Sequence, residues 1–244
     1  MNVKIIEKHI IAFIRRMTTG AEGVVIGLSG GVDSSTVAAL CVRALGKEKV
    51  IGLILPERGI SKLQDVHDAE ELVQQLGIKT VIHPLNDILD AFVRTVPFVD
   101  SNKSALGNVK ARIRMILLYC YANAYNYRVA GTGNKSELYV GYFTKYGDGG
   151  VDFLPIGDLT KTEVRKLAYH LEIPSPIVEK TPTAGLWRGQ TDEGEMGLTY
   201  EELDNIIGGM KSSSNAIRRV RELHDTSAHK RALPPVCKIM MSPK

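Results

Sequence analysis

Residues 23–39, GVVIGLSGGVDSSTVAA, constrain the fold more than any other stretch of this chain. The run 24–28 is short, apolar and rich in β-branched residues, which is typical of a buried parallel strand. Residues 36–45 are typical of a helix that ends before Gly46. Between them lies a glycine turn. A strand, a glycine turn and a helix start in this order form an anion site, because the first free amides and the positive dipole end of the helix favour phosphate.

The turn itself is Ser29 to Ser35, SGGVDSS. Its two adjacent glycines allow the backbone to approach a ligand closely. It is not a Walker A loop, since that motif ends in Gly-Lys-Ser/Thr, whereas Asp33 stands here among small hydroxyl residues. A carboxylate beside bound phosphate requires a cation between them, and Mg²⁺ is the ion expected. The competing interpretation is an ordinary capped helix start, since serine and aspartate are favoured caps.

Strands and helices alternate along the rest of the chain. Further strands are predicted at 50–55, 79–83 and 128–130, and helices at the N-terminus and at 61–76, 86–96, 107–127, 161–171, 199–207 and 215–224. This alternation predicts an α/β fold, a Rossmann-like doubly wound parallel sheet with helices on both faces. Ligands of such sheets bind beyond the carboxyl ends of the strands. The first glycine turn and a second one at 131–134 are therefore expected on the same rim.

Two glycine-containing segments have no regular periodicity. Residues 141–152, GYFTKYGDGGVD, predict a mobile surface loop. Residues 181–197 are polar and aperiodic, and such a long irregular segment in a compact domain is usually functional, so we interpret it as a candidate lid. The end of the chain, 227–244, is basic and contains proline.

Composition excludes several classes of function. The 244 residues are 44% hydrophobic and 24% charged, which suits one large α/β domain. A net charge of +4 is too small to indicate nucleic-acid binding but suits an anionic small-molecule substrate. Three widely spaced cysteines argue against a disulfide framework or a cysteine-rich zinc site and favour a reducing cytoplasm. With no signal peptide and no apolar run of membrane-spanning length, we expect a cytoplasmic protein without membrane or nucleic-acid partners.

Residues 29–35 resemble the pyrophosphate-binding loop of the ATP pyrophosphatases (the PP-loop superfamily, with an adenine nucleotide alpha hydrolase-like fold). That resemblance implies cleavage of ATP between the α and β phosphates and an adenylated intermediate. Further segments look like the NAD synthetase family, in the family's order: 108–112 (NVKAR), 131–137 (GTGNKSE), 141–152, 159–161 (LTK), 182–184 (PTA) and 229–231 (HKR). The match is to the small ammonia-dependent type, which implies one domain over 1–244 and no glutaminase domain.

The resemblance implies roles for individual residues. ATP would contact Gly27, Leu28, Ser29, Gly30, Gly31, Val32, Asp33, Ser34, Ser35, Thr132, Lys161 and Thr183. Deamido-NAD would contact Arg112, Lys145, Asp152, His229 and Lys230, the last two from a neighbouring subunit. Asp33 and Glu137 would hold Mg²⁺, and Asp148 is the candidate for orienting or deprotonating ammonia.

Two residues receive a separate interpretation. Lys161 stands in the first turn of a helix, where a cation is electrostatically unfavourable, which indicates a bound anion. Asn134 stands where many relatives have aspartate, and we assign it no role.

The activity implied is ATP-dependent amidation of deamido-NAD by ammonia, giving NAD, AMP and pyrophosphate through an NAD-adenylate, the last step of NAD biosynthesis. A homodimer with the substrate site at the subunit interface is expected from the family. The apolar faces of the N-terminal helix and of 107–127, the latter with Ile113, Ile116 and Cys120 inward, suit either an interface or core.

The residues themselves agree with this chemistry, because forming an amide from a carboxylate requires a better leaving group than oxide, which adenylation provides. Two alternatives stay open. A tRNA-modifying PP-loop ATP pyrophosphatase would share the first motif but usually brings paired cysteines or an RNA-binding appendage. A non-catalytic nucleotide-sensing protein would not need two carboxylates, a lid and a second ligand set.

Overall fold

Four parallel strands form the central sheet of the computed structural model, which describes residues 1–239. The last part of the basic end, 240–244, lies outside the described residues. The strands are β1 Gly23–Gly27, β2 Val50–Ile54, β3 Lys79–Ile82 and β4 Tyr127–Val129. Their order is β3-β2-β1-β4, and Val25 of β1 lies opposite both Ile51 and Val129. Every residue of β2 is buried, as expected for a strand covered on both faces.

Eleven helices surround this sheet in the described part of the chain. They are α1 Val3–Met17, α2 Val32–Leu45, α3 Leu63–Leu76, α4 Asn86–Thr95, α5 Lys103–Tyr125, α6 Lys135–Val140, α7 Lys161–His170, α8 Ser175–Val178, α9 Asp192–Met196, α10 Tyr200–Ile207 and α11 Ser214–Thr226. The predicted doubly wound parallel sheet with helices on both faces is confirmed.

Each face of the sheet has its own apolar core. Ile26 of β1 packs with α1, α2, α3 and α7 on one face, whereas Val25 and Leu53 pack with α4 and α5 on the other. A third cluster, which includes Leu203 and Val220, joins α6, α10 and α11 beside the sheet. The alternation of neighbouring strand residues between two buried faces explains why β1 reads as an unbroken apolar run.

The prediction for α5 is partly wrong. The helix begins earlier than predicted, at Lys103, because the side chain of Asn102 caps it by accepting a hydrogen bond from the amide of Ala105. Ile113 is buried as predicted, but Ile116 and Cys120 are exposed. The buried side of α5 instead carries charged groups: Lys110 pairs with Glu57 at 2.8 Å, and Arg114 lines the cavity described below. An apolar pattern cannot reveal a helix face that is buried around polar groups.

The order of the strands reverses beside β1, because the chain fills one side with β2 and β3 and then returns to add β4 on the other. Crevices at such reversals are where open α/β sheets bind ligands. The segments that follow β1 and β4, residues 28–31 and 130–134, therefore meet at the same edge, as predicted.

Candidate active site

A cavity of about 700 Å³ opens at this edge of the sheet. Its walls come from the turn after β1, the turn after β4, helix α5, and residues of the segments 141–152 and 181–192. A volume of this size accommodates a nucleotide-sized ligand.

The turn after β1 presents the bare start of α2 to the cavity. Gly31 is the N-cap residue and has no side chain to satisfy the first amides of the helix. The hydroxyls of Ser34 and Ser35 donate to the carbonyl of Gly31, at 3.1 and 2.8 Å, which fixes the shape of the turn. Gly30 has a φ of +75°, and a Cβ at this position would lie 2.1 Å from the carbonyl oxygen of Asp65. The turn thus depends on glycine for both its conformation and its packing.

A lysine that the sequence did not single out fastens this turn to α3. The ammonium of Lys180 donates to the carbonyl of Gly30 at 2.9 Å and to Oδ1 of Asp65 at 2.8 Å, and it also binds Asp68. Because Lys180 is 150 residues from Gly30 along the chain, no local pattern indicates this contact.

A buried ion-pair cluster lies where the two turns meet. Nζ of Lys161 is 2.5 Å from Oδ2 of Asp33 and 3.3 Å from Oε1 of Glu137. Asp33 belongs to the first turn of α2, and Glu137 to the first turn of α6, so the structure brings together the two carboxylates proposed for Mg²⁺. The sequence indicated an anion near Lys161, and in the protein alone the carboxylates supply that negative charge.

Asn134 has a structural role that the sequence analysis did not assign. It caps α6, accepting from the amide of Glu137 at 3.0 Å, while Oε2 of Glu137 accepts from the amide of Asn134 at 3.2 Å. The amide nitrogen of its side chain also donates to Oδ1 of Asp33 at 3.0 Å. This fully buried residue therefore orients both carboxylates at once.

Tyr200 and Asp192 complete the cluster, and sequence reasoning missed both. The hydroxyl of Tyr200 lies 3.0 Å from Oδ2 of Asp192 and 3.2 Å from Oε1 of Glu137. The ring of Tyr200 lies under the ammonium of Lys161, 4.8 Å from nitrogen to centroid. Asp192 was visible in the candidate lid only as one acidic residue among several, with no spacing to distinguish it.

Burial changes the proton affinity of these groups. It raises the pKa of Glu137 from 4.5 to about 7; the ammonium of Lys161 opposes this rise and the charge of Asp33 adds to it. For Lys161, burial alone would lower the pKa, but the carboxylates of Asp33 and Glu137 outweigh it, so the pKa is raised and the ammonium stays charged. The pKa of Asp192 is also raised, chiefly by burial. Three carboxylates thus face one ammonium in a poorly solvated site.

Asp148 lies in the wall of the same cavity. Its Oδ1 accepts from the amide of Thr144 at 2.8 Å, and the residue as a whole is exposed. The surrounding walls raise its pKa, while the Thr144 amide and the charges of Lys230 and Arg114 oppose the rise.

The segment 141–152 is not the surface loop predicted from its glycines. It is a series of tight turns that forms part of the cavity wall, and Thr144 within it is buried. The ammonium of Lys230, which also lines the cavity, donates to the carbonyls of Gly141 and Phe143, at 2.7 Å each, and fixes the turns. The glycines here permit close packing, since a Cβ on Gly147 would lie 2.8 Å from the side chain of Thr144.

Most of the residues predicted for the site lie around the cavity. Its lining includes Gly27, Leu28, Ser29, Gly31, Val32, Asp33, Ser34, Thr132, Glu137, Asp148, Lys161, Thr183 and Lys230. Gly30 and Ser35 support the turn instead, Gly30 by packing against Asp65 and Ser35 by its hydrogen bond to the carbonyl of Gly31. Arg112, Lys145 and His229 are linked to one another outside the cavity: Arg112 donates to the carbonyl of Lys145 at 3.3 Å, and Lys145 to that of His229 at 2.6 Å.

Asp152 stands apart from this group. Its carboxylate accepts from the amide of Val129 at 2.7 Å and from the hydroxyl of Tyr119 at 3.2 Å, so it braces the end of β4. The structure does not place Asp152 in the cavity lining, and its binding of deamido-NAD stays a prediction, as do those of Arg112, Lys145 and His229.

The donor set of the cluster fits Mg²⁺. Carboxylate oxygens are the ligands that this ion prefers, and the excess of negative charge around Lys161 calls for a further cation. The other candidate group between residues 1 and 239 is His67, Asp68 and Glu71 on α3. His67 and Glu71 are exposed, whereas the side chains of Asp33 and Glu137 are each only 17% accessible, so the group on α3 is the more solvated of the two.

The geometry agrees with comparisons to known proteins. The family model described as NAD synthase matches residues 5–234. The chain belongs to the NAD synthase family. A relative from Archaeoglobus fulgidus, named NH(3)-dependent NAD(+) synthetase, is 52% identical, and the alignment covers 98% of each chain. This membership confirms the resemblance on which the site residues were assigned.

Two solved structures are similar to nearly the whole chain. The NMN synthetase from Francisella tularensis has a TM-score of 0.93 at 40% identity, with 98% of this chain and 100% of that chain covered. The NH3-dependent NAD synthetase from Campylobacter jejuni has a TM-score of 0.79 at 35% identity, with the same coverage. None of the helices between residues 1 and 239 is long and apolar enough to cross a membrane.

Proposed function

We propose that this chain catalyses the ATP-dependent amidation of deamido-NAD by ammonia, which gives NAD, AMP and pyrophosphate. The observation that carries the proposal is the Asp33–Lys161–Glu137 cluster beside the bare start of α2, in a family member 52% identical to an ammonia-dependent NAD synthetase. A phosphate site with two cation-binding carboxylates suits adenylation. The family match over residues 5–234 favours this activity over tRNA modification or nucleotide sensing.

Adenylation begins with ATP phosphates on the turn Ser29 to Ser35. The amides at the start of α2 and the ammonium of Lys161 stabilise negative charge there. The carboxylate of deamido-NAD attacks the α-phosphorus, the bond to the bridging oxygen breaks, and pyrophosphate leaves with the electron pair. Mg²⁺ held by Asp33 and Glu137 would neutralise charge on the phosphates. Thr132 and Thr183, which both line the cavity, would contact ATP.

Ammonia then attacks the acyl carbon of the NAD-adenylate, and AMP leaves with the electron pair of the broken carbon–oxygen bond. The nitrogen must lose a proton to become an amide. Asp148 faces the cavity with a raised pKa, so its carboxylate is a suitable acceptor for that proton. The segment 181–197 covers one side of the cavity and would exclude water, which would otherwise hydrolyse the adenylate.

The second substrate is proposed to extend from the cavity over Arg112, Lys145, Asp152, His229 and Lys230. Lys230 lines the cavity of its own chain, and Lys145 reaches the carbonyl of His229. We propose a homodimer in which this end of the site lies at the subunit interface, within a cytoplasmic setting. The exposed side of α5, with Ile116 55% accessible, is a candidate surface for that interface.

A second candidate substrate is the deamidated mononucleotide. The observation in its favour is the TM-score of 0.93 with an NMN synthetase, against 0.79 for the Campylobacter jejuni NAD synthetase. The same adenylation and amidation chemistry would serve either substrate, so only the region beyond the reacting carboxylate would differ.

The test is an assay of the purified protein with ATP, Mg²⁺, ammonium and deamido-NAD. We expect NAD and AMP to form in equal amounts, and the proposal fails if they do not appear together. Nicotinic acid mononucleotide in place of deamido-NAD decides between the two substrates by comparison of kcat/KM. Glutamine in place of ammonium should give no product, and turnover with glutamine would contradict direct use of ammonia.

A further inference from the structure

The candidate lid, residues 181–197, contributes a buried carboxylate that the reaction described above does not use. Asp192 begins α9, is 4% exposed and lines the cavity. Its Oδ2 accepts from the hydroxyl of Tyr200. Its Oδ1 is buried and accepts no well-formed hydrogen bond, since the neighbouring hydroxyl of Tyr142 donates to Oε2 of Glu195 at 2.7 Å. Leaving a buried acceptor unsatisfied is costly, and more so for a charged group, so this oxygen is suited to a ligand that the protein itself does not supply.

The other two carboxylates of the cluster differ from Asp192 in this respect. Both oxygens of Asp33 have donors, from Asn134 and Lys161. Both oxygens of Glu137 also have donors, from Asn134 on one side and from Lys161 and Tyr200 on the other. Asp192 alone among the three therefore offers a free oxygen, and its other oxygen shares the Tyr200 hydroxyl with Glu137.

We propose that Asp192 is the lid's contribution to the Mg²⁺ site and that it links cation binding to the position of the lid. The identity of the ion rests on the proposed function. Oxygens of Asp33, Glu137 and Asp192 do not form a group within 4.8 Å of one another. Mg²⁺ usually retains several water ligands, so Oδ1 of Asp192 would act on the hydrated ion rather than replace a water. The positive charge would satisfy this oxygen and hold the lid beside Tyr200.

Binding of Mn²⁺ to the full chain without substrates tests the cation half of this inference. The readout is the electron paramagnetic resonance signal of free Mn²⁺. Asp192→Asn keeps the size of the side chain and an acceptor for Tyr200 but removes the charge. We expect its Kd for Mn²⁺ to rise about tenfold to a hundredfold, as for outer partners of metal sites. The matched control is Asp158→Asn, whose side chain is 97% accessible and which should bind like wild type. An Asp192→Asn Kd within about twofold of wild type would overturn the inference.

The fluorescence emission of Trp187 tests the second part of the inference, which links cation binding to the position of the lid. It is the only tryptophan of the chain, lies within the lid, and has the ammonium of Lys103 4.3 Å from its ring centroid. Titration with Mg²⁺ should shift its emission in wild type and in Asp158→Asn, and should require about tenfold to a hundredfold more Mg²⁺ in Asp192→Asn. If Mg²⁺ binds wild type without any change in Trp187 emission, the link to the lid is wrong.

Circular dichroism establishes whether Asp192→Asn folds. If it does not, Tyr200→Phe takes its place, since it removes only the hydroxyl that joins Asp192 to Glu137. Its Kd for Mn²⁺ should also rise, and an unchanged value would overturn the inference. The amidation assay separates the two proposals. If wild type forms NAD but Asp192→Asn binds Mn²⁺ as tightly as wild type does, only the inference is refuted. If Asp192→Asn binds Mn²⁺ more weakly but wild type forms no NAD, only the proposed function is refuted.

Discussion

The ammonium nitrogen of Lys161 lies 2.5 Å from Oδ2 of Asp33, although 128 residues separate the two in the chain. Asp33 follows β1, and Lys161 begins α7. Their side chains are 17% and 3% accessible, so the pair is poorly solvated. Without substrates or metal, the ammonium of Lys161 compensates the charge of the carboxylates. It does so at the position where the proposed reaction needs a cation and phosphate.

Replacing Lys161 with methionine should strongly destabilise the protein. The variant leaves buried carboxylates unpaired, which typically costs about 3–5 kcal/mol. The measurement is the free energy of unfolding in urea at pH 8. The control is Lys135→Met, which breaks an ion pair with the exposed Asp158 and should cost about 1 kcal/mol or less. If the two variants lose equal free energies of unfolding, Lys161 does not stabilise the buried carboxylates as expected.

Glu137→Gln should change the pH dependence of stability. Burial raises the pKa of folded Glu137 from 4.5 to about 7. Below pH 4.5 the carboxyl is protonated in both states, whereas between pH 4.5 and 7 only the unfolded state ionises readily, so wild type loses stability as the pH rises. The unfolding free energy of Glu137→Gln relative to wild type should therefore increase from pH 4.5 to 7 and then level off. Urea denaturation without divalent cations at pH 4.5, 6 and 8 measures it. A difference that does not vary with pH would refute the raised pKa.

Asp148→Asn should slow amidation without unfolding the wall of the cavity. Asparagine retains the oxygen that accepts from the amide of Thr144 but cannot take the proton that the attacking nitrogen loses. Loss of a general base typically lowers the rate about 10²–10⁴-fold. Steady-state kcat for NAD formation measures it, with Asp158→Asn as the control. If Asp148→Asn keeps the wild-type kcat while its folding is also unchanged, the proton is not taken by this residue.

Gly30→Ala should weaken ATP binding and lower the thermal unfolding midpoint. The new Cβ would meet the carbonyl of Asp65 at 2.1 Å and displace the phosphate turn. Gly20→Ala is a matched control, because Gly20 has a similar φ of +81° and open space around it. Both variants carry backbone strain, of order 1 kcal/mol, but only Gly30→Ala carries the clash. Calorimetry of ATP binding and thermal denaturation should separate them, and similar ATP affinities would show that the contact with Asp65 is not needed.

The sheet and its rim were predictable because their signals are local. A buried parallel strand is a continuous apolar run, and a helix that ends at Gly46 or Gly77 carries its stop signal in the sequence. The same locality explains the error at 141–152. Glycines there indicated an exposed loop, whereas they serve close packing around Thr144 and Lys230, which no neighbouring residue reveals.

The α/β fold, the phosphate turn after β1, and the assignment of Asp33 and Glu137 to one rim could be predicted from the sequence, because the alternation of strands and helices and the family motifs are written along the chain. The groups that surround these two carboxylates become apparent only in the folded protein. Lys161 compensates both carboxylates, Asn134 orients them, and Tyr200 joins Glu137 to Asp192. These contacts join segments far apart in the chain, and their energies arise from shared burial, so no spacing along the sequence records them.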